Sequence, residues 1–239
     1  MFFVNSLFMV LGIYLLAAVL PAAFLMRYIY REDKIEKEPP ALLRSLILWG
    51  VAAALVSSVL ELIGASVLTS LLDAHNPAFV IVWAFLGVAV VEEGTKFLFL
   101  KRRTWHDPNF NYRFDAIVYS VSVSLGFAAF ENINYVFGYG LAVAVPRAIL
   151  AIPGHMGFAV FMGLFYGRAK KCYDCGKIKG KAANLWTGYL IAVLLHGFYD
   201  ACAMIGNAVS TALFTAFIVA MYIVVIRLIK KESASDRPL

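Results

Sequence analysis

The sequence has 239 residues, 62% of them apolar and 15% charged, with a formal net charge of +6; soluble domains average about 45–50% apolar and about 25% charged. The apolar residues fall in long runs, which excludes a disordered chain, a disulfide-stapled mini-protein and a water-soluble enzyme. Because about 20 apolar residues in a helix cross the roughly 30 Å hydrocarbon layer, the composition predicts an all-α polytopic membrane protein.

Seven spans are predicted in a single integral-membrane domain covering 1–239. The first, Phe2–Met26, has no basic residue ahead of it and an apolar run about twice the length of a signal-peptide core, so a retained helix is expected. The second, Ala41–Ile63, carries Glu61 near its end, where a carboxylate is expected to reach the headgroups. Glu92, Glu93 and Lys96 lie in the third, Phe79–Leu100. Asp115 opens the fourth, Phe114–Phe137, and complements its dipole; Glu131 and Tyr135 follow toward the other end. The fifth, Pro146–Tyr166, holds His155 directly after Pro153-Gly154, a pair expected to free backbone hydrogen-bonding groups. Its Gly154, Gly157, Gly163 and Gly167 suit close helix approach. His196 and Asp200 lie in the sixth, Asn184–Ile205, and the seventh is Ser210–Ile229. His75 and His106 fall in loops. Cys172 and Cys175 lack the second pair that a closed zinc site needs, and Cys202 is a small packing residue.

Basic residues alternate across these spans. The first, third and fifth loops with their flanks, together with the tail, hold 20 of the 21, leaving Arg147 for the other side. That pattern predicts an outside N-terminus and a cytoplasmic C-terminus. It also directs the positive charge toward anionic lipids of the cytoplasmic face rather than nucleic acid.

Functional information is concentrated in seven ionisable groups inside spans three to six: Glu92, Glu93, Lys96, Glu131, His155, His196 and Asp200. Each costs about 2.5–3.5 kcal/mol at a helix centre, or on the order of 15–20 kcal/mol for all seven against lipid, so one shared polar cluster is expected. Glu92 and Lys96 share a helix face, as do His196 and Asp200, and Glu131 and Tyr135. Lys96 either balances a carboxylate or snorkels to the interface. At a rise of about 1.5 Å per residue, depths come out at roughly 12 Å for Glu92, 17–20 Å for the histidines and 25 Å for Glu131.

Such a set suits hydrolysis, which needs an activated water, a base and a donor for the developing oxyanion. Glu92 or Glu93 can act as base, and two histidines with a glutamate match a catalytic zinc set with a position left for water. The helix pattern H-E-x-x-H and the serine motif G-x-S-x-G are both absent from the sequence. A proton-coupled transporter uses the same residue types, although no paired inverted repeat is evident. A non-catalytic membrane scaffold is the third reading.

Glu92-Glu93-Gly94-Thr95-Lys96 is E-E-x-x-K, Phe130–Tyr135 is F-E-x-x-x-Y, and His196–Asp200 is H-x-x-x-D, with His155 in Pro-Gly-His-Met-Gly. In this order the motifs resemble the PrsW family of bacterial intramembrane proteases. The resemblance implies kinship with type II CAAX prenyl endopeptidases and bacteriocin-immunity membrane proteases. In those relatives a histidine commonly stands where this chain has Asn134, which argues against a prenyl-protein substrate. It implies a bacterial plasma-membrane endopeptidase that cleaves a single-pass anti-sigma factor at an extracytoplasmic position under envelope stress. It also implies zinc or another divalent metal, with a metal-free glutamate/histidine mechanism as the alternative; on our reading of the residues His155 and His196 bind that metal or stabilise the oxyanion, and Glu131 completes the ligand set or tunes the water. Asp200 would then orient His196, Lys96 would balance the glutamates, and Tyr135 would donate a hydrogen bond.

Overall fold

The apolar runs fold as seven helices long and apolar enough to cross a membrane in the computed structural model, which describes residues 2–73 and 76–239. His75 lies outside the described residues. The helices are α1 (Phe2–Glu32), α2 (Pro40–Leu71), α3 (Pro77–Val82, Trp83–Ala89 and Val90–Thr104 in continuous succession), α4 (Asp115–Tyr139), α5 (Leu141–Asp174), α6 (Ile178–Ile205) and α7 (Ala208–Ala234). Among the described residues there is no strand, only an isolated bridge between Tyr112 and Pro238.

Most of these helices extend beyond the predicted spans. Their ends are charged, as in Arg27–Glu32 and Arg168–Asp174, so hydropathy marks the apolar crossing segment while the hydrogen-bonded helix continues past it. Local chemistry sets the boundaries. The Asn76 side chain accepts from the Ala78 amide at 2.9 Å, with Pro77 in the first helical turn, and Asn207 caps α7 through the Ser210 amide at 2.8 Å. Gly206 closes α6 at φ +62°, a left-handed conformation that glycine adopts without a Cβ penalty.

Two helices contain wide π turns, at Trp83–Ala89 in α3 and Arg147–Ala151 in α5. The second lies just ahead of Pro153. Proline has no amide hydrogen, so the carbonyl of Ile149 loses its helical donor. The Tyr222 hydroxyl of α7 takes that role and also reaches the Leu150 carbonyl at 3.4 Å. The backbone irregularity expected from Pro153-Gly154 is therefore present and satisfied from a neighbouring helix.

Helix α4 is the central pillar, buried without interruption from Asp115 to Ala128 and packed against α1, α2, α3 and α5. Reciprocal glycines allow its crossing with α2. A Cβ on Gly50 would stand 2.0 Å from the Val123 carbonyl oxygen, and one on Gly126 would stand 2.2 Å from that of Ile47. Backbones meet this closely only where side chains are missing. With α4 as one wall, the contacts α2–α3, α3–α6, α6–α5, α5–α4 and α4–α2 close a five-helix ring. Apolar side chains on α1, α2 and α7 point outward, where lipid would cover them.

At the basic end, the chain terminus is stitched to the loop before α4 by Arg113 N to Arg237 O (3.2 Å), Leu239 N to Asn111 O (2.9 Å) and Phe114 N to Asp236 Oδ1 (2.9 Å). Asp115 accepts the Asn111 and Tyr112 amides at 3.0 and 2.6 Å, so it ties down this loop as well as opening the helix. Asp33 and Glu38 are buried beside it. Burial, then repulsion from Asp115, pushes the Glu38 carboxyl up to about 9, and burial raises Asp33 to about 6.

Candidate active site

The chamber inside the ring has a volume of about 540 Å³ and takes walls from α2 through α6. All eight sequence-predicted residues lie at or beside it. Glu92, Glu131, Tyr135, His155, His196 and Asp200 line it, while Glu93 and Lys96 are buried directly behind. The depth spread expected from helix ends collapses, because Glu131 Oε2 lies 2.9 Å from His155 Nε2 and the two imidazole centroids are 5.3 Å apart.

Lys96 organises the cluster. Its ammonium, 2% exposed, donates to Glu92 Oε2 at 3.1 Å, Glu93 Oε1 at 2.8 Å and His155 Nδ1 at 3.1 Å, and it sits 3.9 Å above the Phe127 ring. It does not snorkel. An ammonium has only hydrogens to offer, so His155 Nδ1 accepts, and the ring proton sits on Nε2 facing Glu131. His196 Nδ1 lies 2.9 Å from Glu93 Oε1 and its Nε2 lies 3.2 Å from Asp200 Oδ2. Phe158 stacks on the same imidazole at 4.9 Å. Glu93 is thus committed to Lys96 and His196, while Glu92 presents a carboxylate to the chamber.

Backbone packing fixes these positions. The Thr95 hydroxyl donates to the Glu92 carbonyl at 2.9 Å and accepts from Ser57 of α2 at 2.7 Å. A Cβ on Gly197 would stand 2.4 Å from Phe85, so the absent side chain lets the π turn of α3 press against α6 next to His196. Ser124 of α4 donates to the His155 carbonyl at 2.9 Å.

Sequence reasoning missed two residues at this site. Arg147 pairs with Glu131 at 3.1 Å, donates to Asn132 Oδ1 at 2.8 Å and lies 3.8 Å over the Tyr135 ring. Asn132 in turn donates to the Ala18 carbonyl of α1 at 2.8 Å. The available signal was that Arg147 stands alone among apolar residues, away from every other basic group. Glu61 is the second, since α2 continues ten residues past it to Leu71 and its side chain lines the chamber instead of marking the helix end.

Glu92, Glu93, His155 and His196 each offer one ligand atom within 4.8 Å of the others. Two imidazole nitrogens with carboxylate oxygens are a donor set that suits zinc, and Glu93 Oε2 is buried without a hydrogen-bond partner among the described residues. These four residues could hold a metal, which would take over acceptors that Lys96 now occupies. Glu131 stands outside the group, bound to the far nitrogen of His155, where a carboxylate orients the ring.

The sequence profile of the PrsW family intramembrane metalloproteases matches residues 38–229. The chain belongs to the PrsW family. It is similar to Protease PrsW of Geobacillus kaustophilus, at 34% identity over 184 residues, covering 77% of this chain and 76% of the relative. Protease PrsW of Shouchella clausii is 33% identical over 219 residues, 91% of this chain and 96% of that protein. Protease PrsW of Oceanobacillus iheyensis is 30% identical over 217 residues, 91% and 94% of the two chains. No solved structure matches. The protein is therefore a multi-pass intramembrane peptidase, and the buried Glu-Glu-His-His cluster lies inside the matched region.

Proposed function

We propose that this PrsW-family member is an endopeptidase for single-pass membrane proteins and that Glu92 activates the attacking water. The carrying observation is the convergence of Glu92, Glu93, His155 and His196 from three helices on one chamber. Glu92 takes a proton from water as the oxygen bonds the scissile carbonyl carbon and the carbonyl electrons move onto oxygen. Glu93 holds the His196 ring through Nδ1 at 2.9 Å, and His196 Nε2, 3.9 Å from Glu92 Oε2, turns its proton from Asp200, 3.2 Å away, to that oxyanion. Collapse breaks the carbon–nitrogen bond, and the proton on Glu92 passes to the departing amine. A divalent ion held by His155, His196 and Glu93 would supply Lewis-acid polarisation in place of the His196 donation and leave Glu92 as the base. Lys96 balances the carboxylates, Glu131 and Arg147 hold His155, and Tyr135 lines the approach to the site.

The basic loops support a cytoplasmic C-terminus on anionic lipid and an outside N-terminus. The chamber extends from the cluster toward the opposite face, where Arg147 and Tyr135 line it. The substrate we favour is a single-pass anti-sigma factor, cut at an extracytoplasmic position as the first step of an envelope-stress response. The test is cleavage of a reconstituted single-pass substrate, read by mass spectrometry with metal analysis and a chelator arm. Glu92→Gln should lower the rate at least about a thousandfold while the protein remains folded. Undiminished cleavage by Glu92→Gln and by His196→Ala would reject this site.

A further inference from the structure

Glu61 has no role in the hydrolytic scheme above, yet it lines the same chamber. The Ser57–Thr95 hydrogen bond, 2.7 Å long, sets the register of α2 against α3. From that level Glu61 is four residues along α2 and Glu92 is three residues back along α3, displacements of about 6 and 4.5 Å in the same direction. Glu61 therefore stands nearly level with Glu92 across the cavity. On the α2 wall it follows Ala54 and Ser58, two small side chains that leave the cavity open beneath it. Among the described residues it has neither a hydrogen bond nor an ion pair.

An indole lies beside it. Trp83 lines the chamber and folds back over Gly87, where a Cβ would stand 2.1 Å from the indole. The same benzo edge, at Cζ3, also reaches Gly64 of α2, 3.8 Å from where a Cβ would be. Gly64 is one turn from Glu61, so carboxylate and indole border the same part of the cavity. Carboxylate and indole together make a receptor for an organic cation.

The charges around the chamber point the same way. Lys96 meets Glu92 and Glu93, Arg147 meets Glu131, and His196 meets Glu93 and Asp200, so each of these four carboxyl groups has a nitrogen partner across the chamber. Glu61 is the chamber carboxyl left without such a partner among the described residues, and a cation entering beside it would supply one.

We infer that Glu61 and the indole of Trp83 form a substrate subsite that binds a lysine or arginine side chain close to the scissile bond. This specificity rests on the protease reading, but cation binding can be measured without cleavage. Purified full-length protein in micelles is given a peptide library made by cleavage after glutamate, and new termini are sequenced. Lysine and arginine should be enriched at one position within a few residues of the cut. Glu61→Gln should reduce that preference about tenfold, and Glu61→Lys should replace it with aspartate. In parallel, p-aminobenzamidine is titrated by fluorescence with neutral p-aminobenzamide as control. Wild type should bind the amidine about tenfold more tightly than Glu61→Gln, and Trp83→Leu, which keeps the carboxylate, should weaken it about fivefold. Cleavage with the same profile in wild type and Glu61→Gln overturns the subsite and leaves the protease reading intact. Glu61-dependent amidine binding without any cleavage supports the subsite and counts against the catalytic scheme. Amidine binding that is independent of both residues overturns the subsite, whether or not peptides are cut.

Discussion

Replacing Lys96 with methionine keeps most of the side chain's volume and removes the charge at the centre of the cluster. The ammonium is 2% exposed and holds Glu92, Glu93 and His155 at 2.8–3.1 Å. Removing one partner of a buried ion pair costs about 3–5 kcal/mol, because the abandoned charge has no water to turn to. In a chain of this length about 2–4 °C is lost per kcal/mol, so the unfolding midpoint in detergent should fall by roughly 6–20 °C. Two further measurements separate this cause from simple damage. Glu93→Gln in the Lys96→Met background should recover part of the loss, since it removes a carboxylate left unpaired. Added zinc should raise the midpoint of Lys96→Met more than that of wild type, because the freed donors are the group that could take a cation. A midpoint within about 2 °C of wild type, insensitive to both treatments, would refute the role given to Lys96.

Arg147→Met should lower cleavage about 10–100-fold by releasing Glu131 from its guanidinium and loosening His155; Arg147→Lys should restore part of the rate, measured as kcat on a reconstituted substrate. Gly197→Ala should cost about 1–3 kcal/mol of stability and reduce cleavage with it, because the new methyl lies within 2.4 Å of Phe85 and pushes the α3 π turn away from His196; thermal unfolding and rate should fall together. Glu38 gives a pH prediction. Its folded-state carboxyl titrates at about 9 against an ordinary 4.5, so the folded protein keeps a proton that the unfolded chain releases, and stability contributed below about pH 4.5 is lost as pH rises toward 9. Glu38→Gln should flatten that decline, and a midpoint that falls equally steeply between pH 6 and 9 in both proteins would count against it.

Much of this architecture is legible in the sequence because burial of charge in lipid is costly enough to leave a mark. Apolar runs locate the helices, and the seven ionisable groups on α3 to α6 anticipate a common cluster that the structure brings together. Rotation and level about each helix are less legible. Sequence spacing leaves Lys96 a choice between the interior and the interface, and only its packing over Phe127 decides it. Nor does spacing tell which of two adjacent glutamates faces the cavity, since that follows from Ser57 and Thr95 setting α3 against α2. Depths counted from helix ends separate Glu131 from Glu92 because the ends do not lie in one plane and π turns change the local advance. Glu61 looks terminal because the apolar run fades two residues after it, although the helix does not.

The burial of the carboxylates has a consequence for what reaches them. Glu92 is 5% and Glu93 1% exposed, whereas an α-helix hydrogen-bonds its own carbonyls and sheathes them in side chains about 10–12 Å across, so an intact helix offers them no free scissile carbonyl. A polypeptide must therefore uncoil before it is cut, and enter as a few residues of extended backbone. Ease of unwinding then becomes a selection rule in its own right, favouring stretches with glycine, proline or β-branched residues over sequences that hold a helix well.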